Sequence, residues 1–149
     1  MLRAFASVKN GKLLVVGDGV ERDSLVKLSK ELKITDRVKF LGIRKDIPEI
    51  LSYADCFILP SRYEGLPMVL LEAVASHKII IISDFESATE VINNGENGLI
   101  VIKNNVVQLA SSASLILEDG ELRDKLRIGV FNISKCISIE NHINRVLSL

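Results

Sequence analysis

The sequence predicts an α/β fold: a Rossmann-like, doubly wound, mostly parallel sheet with helices on both faces. Three observations point there. Short β-rich apolar runs alternate along the chain with longer segments whose apolar residues recur at helical spacing. Runs such as "KIIIIS" and "CFILP" are apolar at successive positions instead of alternate ones, which requires cover on both faces of the sheet. Each strand runs into glycine or polar residues, in "GDG", "LGIRKD", "PSRYEGLP" and "SDFESAT", as strand-to-helix turns demand.

In order, "GKLLVVGDG" reads as a buried strand entering a glycine turn. "ERDSLVKLSKELKI" follows as a helix, with Leu25, Leu28 and Leu32 on one stripe and acids at the positive end of its dipole. "RVKFLG" is the next strand, and "KDIPEILSYA" a short helix with Pro48 near its start, where its missing N–H does no harm. "DCFILPS" is a strand, "GLPMVLLEAVASH" a helix and "KIIIIS" a strand. "SATEVINNG" is a short helix closed by Asn-Gly, and "NGLIVI" the last strand. From about Asn104 the chain reads as helical, with breaks at "EDGE" and near Ser138. Right-handed crossovers join the units. No repeat or linker divides residues 1–149, which form a single domain.

Composition narrows the function. The 149 residues are 48% hydrophobic, enough to bury a core. Nineteen basic residues balance nineteen acidic ones, so nothing favours a nucleic-acid partner. Cys56 and Cys136 lie too far apart for a metal motif and form no disulfide framework, which suits a reducing compartment and buried thiols. No run approaches the ~18 apolar residues of a transmembrane segment, and the start, "MLRAFASVKNGK", lacks a signal-peptide core. The expectation is a soluble cytoplasmic chain, able to work beside a membrane.

In open α/β sheets ligands bind beyond the carboxyl ends of the strands. "GDG" there is a weak signal: Gly17 and Gly19 serve a tight turn or a close phosphate approach, and no third glycine completes a dinucleotide fingerprint. "SRYEGLPMVLLEA" is more specific. Pro67 is expected in the first turn of a helix whose free N–H groups form an anion site. Glu64 precedes that helix and Glu72 lies eight residues on, roughly 12 Å along the axis and about 80° around it. A buried, unpaired carboxylate costs several kcal/mol, so Glu72 needs a hydroxyl, an amide or a cation. A nucleotide sugar would satisfy all three features: sugar hydroxyls at Glu64, diphosphate at the helix start, ribose at Glu72. Spacing alone equally allows a solvated Glu64 and a Glu72 at the edge of a packed helix.

"SRYEGLPMVLLEAVAS" resembles the acid-x7-acid segment of retaining glycosyltransferases of the GT-B fold, in the large family 4 (group 1) type. "KLLVVGDGVERDSLVKLSKELKITDRVKFLG", "IPEILSYADCFILPS" and "NNGENGLIV" resemble flanking regions of the same family in the same order, and the tail with "SIENHI" resembles its closing helices. The resemblance implies the C-terminal, nucleotide-sugar-binding domain of such an enzyme. Its donor would be a nucleoside diphosphate sugar, UDP-sugar first by family habit, with no cofactor and no metal. Glu64 would contact the transferred sugar and carry the catalytic role. Gly65, Leu66 and Met68 would offer backbone to sugar and phosphate, and Glu72 would hold the ribose. Gly42, Ile43 and Arg44 would line the base pocket, with Gly17 and Gly19 beside the phosphates. Arg44 could equally be a solvated arginine.

Two departures from the family pattern matter. His77 stands where the family usually has a glycine that ends the helix, and a side chain in that left-handed conformation costs about 1 kcal/mol; His77 is expected as an exposed helix-end residue. "MLRAFASVKNGK" resembles the helix after the family's first, central strand, so that strand and its Arg/Lys pair are not among these residues. Residues 12–17 must then pair directly with residues 56–60 in a rearranged five-strand sheet, or the chain is part of something larger. The resemblance implies a donor-binding half, inactive alone, that works with an acceptor-domain partner chain or self-associates. A nonfunctional fragment and an epimerase-like domain are the alternatives. Polysaccharide or glycolipid assembly at the inner membrane face is the implied setting.

Overall fold

The computed structural model describes residues 1–65 and 67–136. The order is α1 (Leu2–Phe5), β1 (Leu13–Val16), α2 (Arg22–Glu31), β2 (Val38–Gly42), α3 (Ile47–Tyr53), β3 (Cys56–Leu59) and α4 (Met68–Ala75). It continues with β4 (Ile79–Ser83), α5 (Ala88–Val91), β5 (Leu99–Val101), α6 (Val106–Glu118) and α7 (Gly120–Cys136). Among the described residues every expected element is present in the expected order, and the break at "EDGE" falls at Asp119, between α6 and α7. The expected break near Ser138 lies outside the described residues. No described helix is long and apolar enough to cross a membrane.

All strand pairs are parallel. β4 shows why apolar runs signal double cover. Ile80 and Ile82 pack on one face with Leu51 of α3, Leu70 and Val74 of α4 and Val130 of α7. Ile79 and Ile81 pack on the other with Ala4 of α1, Leu109 and Ile116 of α6 and Leu126 of α7. All four isoleucines are at most 1% exposed, each worth about 1.5–3 kcal/mol of burial. A third cluster sets Leu2, Phe5 and Val8 against Leu13, Ile34 and Val38, with Leu25, Leu28 and Leu32 of α2 beside it. The predicted leucine stripe of α2 is thus its packing face.

The rearranged five-strand sheet does not form. β1 pairs only with β2, and β3 with β4, which pairs with β5; these are two separate sheets. The physical reason lies in α1. Its Phe5 belongs to the β1–β2 core and its Ala4 to the β4 core, so one helix packs against both sheets where they would otherwise meet. Arg37 secures the end of α1, donating from Nη1 to the Val8 carbonyl oxygen at 2.7 Å and lying over the Phe5 ring at 5.0 Å.

His77 adopts the strained conformation expected of it, φ 53°, but it is more than a helix end. Its ring meets Phe131 edge-on at 5.2 Å, and Nε2 lies 3.0 Å from Ser134 Oγ. Ser134 gives its own proton to the Phe131 carbonyl oxygen, so His77 Nε2–H is the donor. His77 therefore ties the end of α4 to α7. His77→Ala loses these contacts and keeps the strain, an expected loss of about 1–2 kcal/mol. His77→Gly loses the contacts but releases about 1 kcal/mol of strain, so urea unfolding should rank the alanine variant below the glycine variant.

Cys56 matches the expectation of a structural thiol. Its side chain joins the apolar cluster beneath α6, and burial pushes the thiol pKa up to about 12. Because the thiolate is the reactive form, Cys56 is expected to stay unalkylated by iodoacetamide at pH 8 in the folded chain. Mass mapping with and without denaturant checks this.

Candidate functional site

The strand ends form two groups, one on each sheet. On the first sheet, Gly17 N–H donates to the Gly42 carbonyl oxygen at 2.8 Å, joining the ends of β1 and β2. Both glycines need their lack of a side chain, with φ of 120° at Gly17 and 66° at Gly42. Asp18 Oδ1 accepts from Gly19 N–H at 2.8 Å, which closes the "GDG" turn on itself. Ile43 stands 78% exposed on the same rim, an apolar surface with nothing packed over it.

Arg44 has a partner. Its Nε donates to Asp46 Oδ1 at 2.8 Å and its second guanidinium nitrogen to Asp46 Oδ2, a bidentate fork. The hydrogen bond from Arg44, with its charge, holds the Asp46 carboxyl below the usual carboxylate range. Arg44 is thereby occupied, and the pair is partly exposed at the surface.

On the second sheet, the β3–α4 loop carries Glu64 and Gly65. Ser61 Oγ donates to Glu64 Oε1 at 2.8 Å, which orients the carboxylate. Ser87 Oγ donates to the Gly65 carbonyl oxygen at 2.7 Å, tying the loop to the start of α5. Arg62 Nε reaches Asn104 Oδ1 at 3.2 Å, and Lys103 Nζ lies 5.5 Å from the Tyr63 ring centroid. The loop is therefore braced against the ends of both β4 and β5. Ser61 could have been found as the third residue before Glu64 in "SRYE". Ser87 lies in the strand-end run "SDFESAT", whereas Lys103 and Asn104 gave no signal; only folding brings the three to the loop.

The helix begins later than its sequence suggests. Pro67 is the N-cap, extended at φ −74° and ψ 126°, and α4 starts at Met68. A proline fits there because its ring enforces that φ and no helical N–H is lost. Leu70 N–H bonds back to the Pro67 carbonyl oxygen at 2.9 Å, leaving Met68 and Val69 to supply the free amides of the first turn. Leu66, expected among the backbone donors, lies outside the described residues.

This shift corrects the geometry of the acids. Glu64 sits in the loop, so its relation to Glu72 is not a helical wheel; only four helical steps, about 6 Å, separate Met68 from Glu72. Glu72 is half-buried and has no side-chain hydrogen bond or ion pair among the described residues. The arrangement offers one oriented carboxylate, two free amides at a helix start, and a second carboxylate one turn in. Together these can accept hydroxyl donors and hold an anion between them.

Residues 1–129 match the family model described as glycosyl transferases, group 1. The chain is 41% identical over 110 residues to the N,N'-diacetylbacillosaminyl-diphospho-undecaprenol alpha-1,3-N-acetylgalactosaminyltransferase of Campylobacter jejuni, covering 74% of this chain and 29% of that protein. It is 36% identical over 125 residues to the N-acetyl-alpha-D-glucosaminyl L-malate synthase of Bacillus anthracis, covering 82% of this chain and 33% of that protein. The chain thus spans about a third of the length of these relatives. A crystal structure of Anabaena Alr3699/HepE in complex with UDP matches the fold with a TM-score of 0.88 at 25% identity, over 99% of this chain and 43% of that one.

Proposed function

Because the chain belongs to the group 1 glycosyl transferases, we propose that it is the donor-binding half of a retaining enzyme that moves a hexosyl group from a UDP-sugar to an acceptor held elsewhere. Glu72 carries this reading. A half-buried carboxylate with no protein partner among the described residues keeps its oxygens open to a ligand; two ribose hydroxyls could donate to it. The UDP-bound Alr3699/HepE structure, of the same fold, favours uridine as the nucleotide.

In this reading Met68 and Val69 N–H groups take the diphosphate, and the α4 dipole stabilises its charge as the sugar leaves. Glu64, held by Ser61, accepts from hydroxyls of the transferred hexose and fixes the anomeric carbon. Gly17, Gly19, Gly42 and Ile43 flank phosphate and base from the other sheet. Arg44 stays with Asp46 and neutralises nothing on the ligand. In this reading the acceptor site lies outside these residues, so the chain binds donor but does not turn it over alone. An acceptor-bearing partner would complete it, at the cytoplasmic face of a membrane if its acceptor resembles the undecaprenol-linked one named for the Campylobacter relative.

A ¹⁵N–¹H correlation spectrum with and without UDP, GDP and ADP tests the binding claim. Shifts confined to residues 17–19, 42–44 and 64–72, strongest with UDP, are expected. A dispersed spectrum that ignores all three nucleotides would overturn it.

A further inference from the structure

The inner face of α6 belongs to the core, where Leu109 and Ile116 pack with Ile79, Ile81 and Val101. The outer face is unusual. No charged residue occurs between Lys103 and Glu118. The outer faces of α2 and α7, by contrast, carry exposed Lys27, Lys30, Asp124 and Arg127, as solvated helices ordinarily do. On α6 the outward residues are Val107, 75% exposed, Leu115, 48% exposed, and between them Ala110, Ser111 and Ser114. Together with Ser7 they border an open groove of about 440 Å³. Small residues between larger apolar ones let a second helix approach closely. Glu118 supplies an independent sign. It borders the same groove as the last residue of α6, at the negative end of the helix dipole, where an acid is unfavourable. It has no hydrogen bond or ion pair among the described residues, whereas the neighbouring Asp119 accepts from Leu122 N–H at 3.0 Å. At the other end of the groove Asn105 Oδ1 takes the Gln108 N–H, which leaves Val106 and Val107 with the free amides of the first turn. One end of the groove is thus negative and the other positive, which an identical face turned end for end would match.

We propose that this groove seats a second copy of the chain, the two α6 helices packing antiparallel about a two-fold axis at the level of residues 112 and 113. The face is its own complement under that rotation. Ser111 of one copy comes level with Ser114 of the other, and Ala110 with Leu115, so a large residue falls beside a small one. Val107 comes level with Glu118, which brings each carboxylate toward the positive end of the other copy's helix and away from the influence of its own negative end alone. A lipid surface fits less well, because it would take the Ser111 and Ser114 hydroxyls at the centre of the face out of water. The outer face of a 13-residue helix, about 20 Å by 10 Å, is small beside the ~800 Å² per partner of a standard interface. The dimer is therefore reversible and concentration-dependent. The pairing uses no residue of the proposed nucleotide site, so it stands or falls separately from that reading.

Sedimentation equilibrium of the purified chain from about 10 μM to about 1 mM tests this. The weight-average mass is expected to climb toward that of two chains across the range. Leu115→Lys should weaken association by at least ~10-fold. Glu118→Lys separates pairing from folding. A lysine suits the negative end of its own helix, so thermal stability should hold or rise while association weakens several-fold. Cross-linking with a short bismaleimide in a Cys136→Ser background reads the register. Val107 and Glu118 are eleven residues apart, about 16 Å along the helix. Val107→Cys mixed with Glu118→Cys should therefore give a cross-linked dimer, and neither variant alone should. A chain that stays monomeric across the range would overturn the proposal. So would a dimer unaffected by both lysine variants, or Val107→Cys cross-linking to itself, the mark of a parallel pair. Co-pelleting of a monomeric chain with phosphatidylcholine vesicles, lost in Leu115→Lys, would assign the face to lipid and overturn it as well.

Discussion

Glu72→Gln is expected to weaken UDP binding by about 10- to 100-fold while leaving the fold intact or slightly more stable. Hydrogen bonds to a charged group are worth about 1.5–3 kcal/mol each, and the carboxylate has no protein partner among the described residues to lose. The amide removes a half-buried charge, so thermal stability should not fall. Binding and stability moving in opposite directions is the mark of a residue kept for its ligand. Glu64→Gln is the contrasting variant. Glu64 addresses the sugar and not the nucleotide in the proposed site, so UDP affinity should change less than about twofold while any extra affinity for UDP-sugar over UDP disappears. Calorimetric titration of both variants with UDP and a UDP-hexose decides the matter. Equal losses from the two substitutions would show that the acids do not divide the ligand as proposed. An unchanged UDP affinity in Glu72→Gln would return that residue to the edge of a packed helix.

Gly129→Ala is expected to be the most damaging single methyl in the described chain. A Cβ at Gly129 would stand 2.0 Å from the Glu96 carbonyl oxygen, 2.8 Å from its carbonyl carbon and 2.9 Å from Asn97 Cα. That loop cannot retreat. Asn97 is 2% exposed; its Oδ1 accepts from Asn93 N–H at 2.7 Å and its Nδ2 donates to the Val91 carbonyl oxygen at 3.1 Å. The helix must shift instead, and it carries Leu126 and Val130, both 0% exposed, into two different cores. Overpacking typically costs about 1–3 kcal/mol and occasionally more. With backbone as the obstacle on one side and two cores on the other, the upper end, ~3–5 kcal/mol, is expected. At about 2–4 °C per kcal/mol for chains near this size, Tm falls by roughly 10 °C. Gly120→Ala is the control, since its Cβ would meet only an Arg123 guanidinium nitrogen at 3.6 Å. A stability change within about 0.5 kcal/mol is expected there. Similar losses at both positions would refute the close crossing of α7 over the loop.

Much of this was legible in the chain itself. Four consecutive isoleucines at 79–82 need two apolar faces, and the structure supplies them. Glycine at 17 and 42 anticipated turns with positive φ. The acid pair in "SRYEGLPMVLLEA" led to the family that the comparison then showed. The start of α4 was misplaced because proline suits both the N-cap and the first turn, and only the backbone angles separate them. Arg44 could not be assigned from sequence because its partner two residues away is available in an extended loop and in few other conformations.

By itself the sequence determined the α/β class, the order of the elements and the two carboxylates, since these follow from local periodicity and from residue types that no packed core tolerates without reason. Tertiary structure alone decided that β1 and β3 stay apart, that Ser87 and Asn104 brace the Glu64 loop, and that α7 crosses Glu96 with no room for a methyl group. Each of these depends on contacts between residues from 22 to more than 40 positions apart, or on the width of a helix set across two sheets, and such distances exist only after the chain has closed on itself.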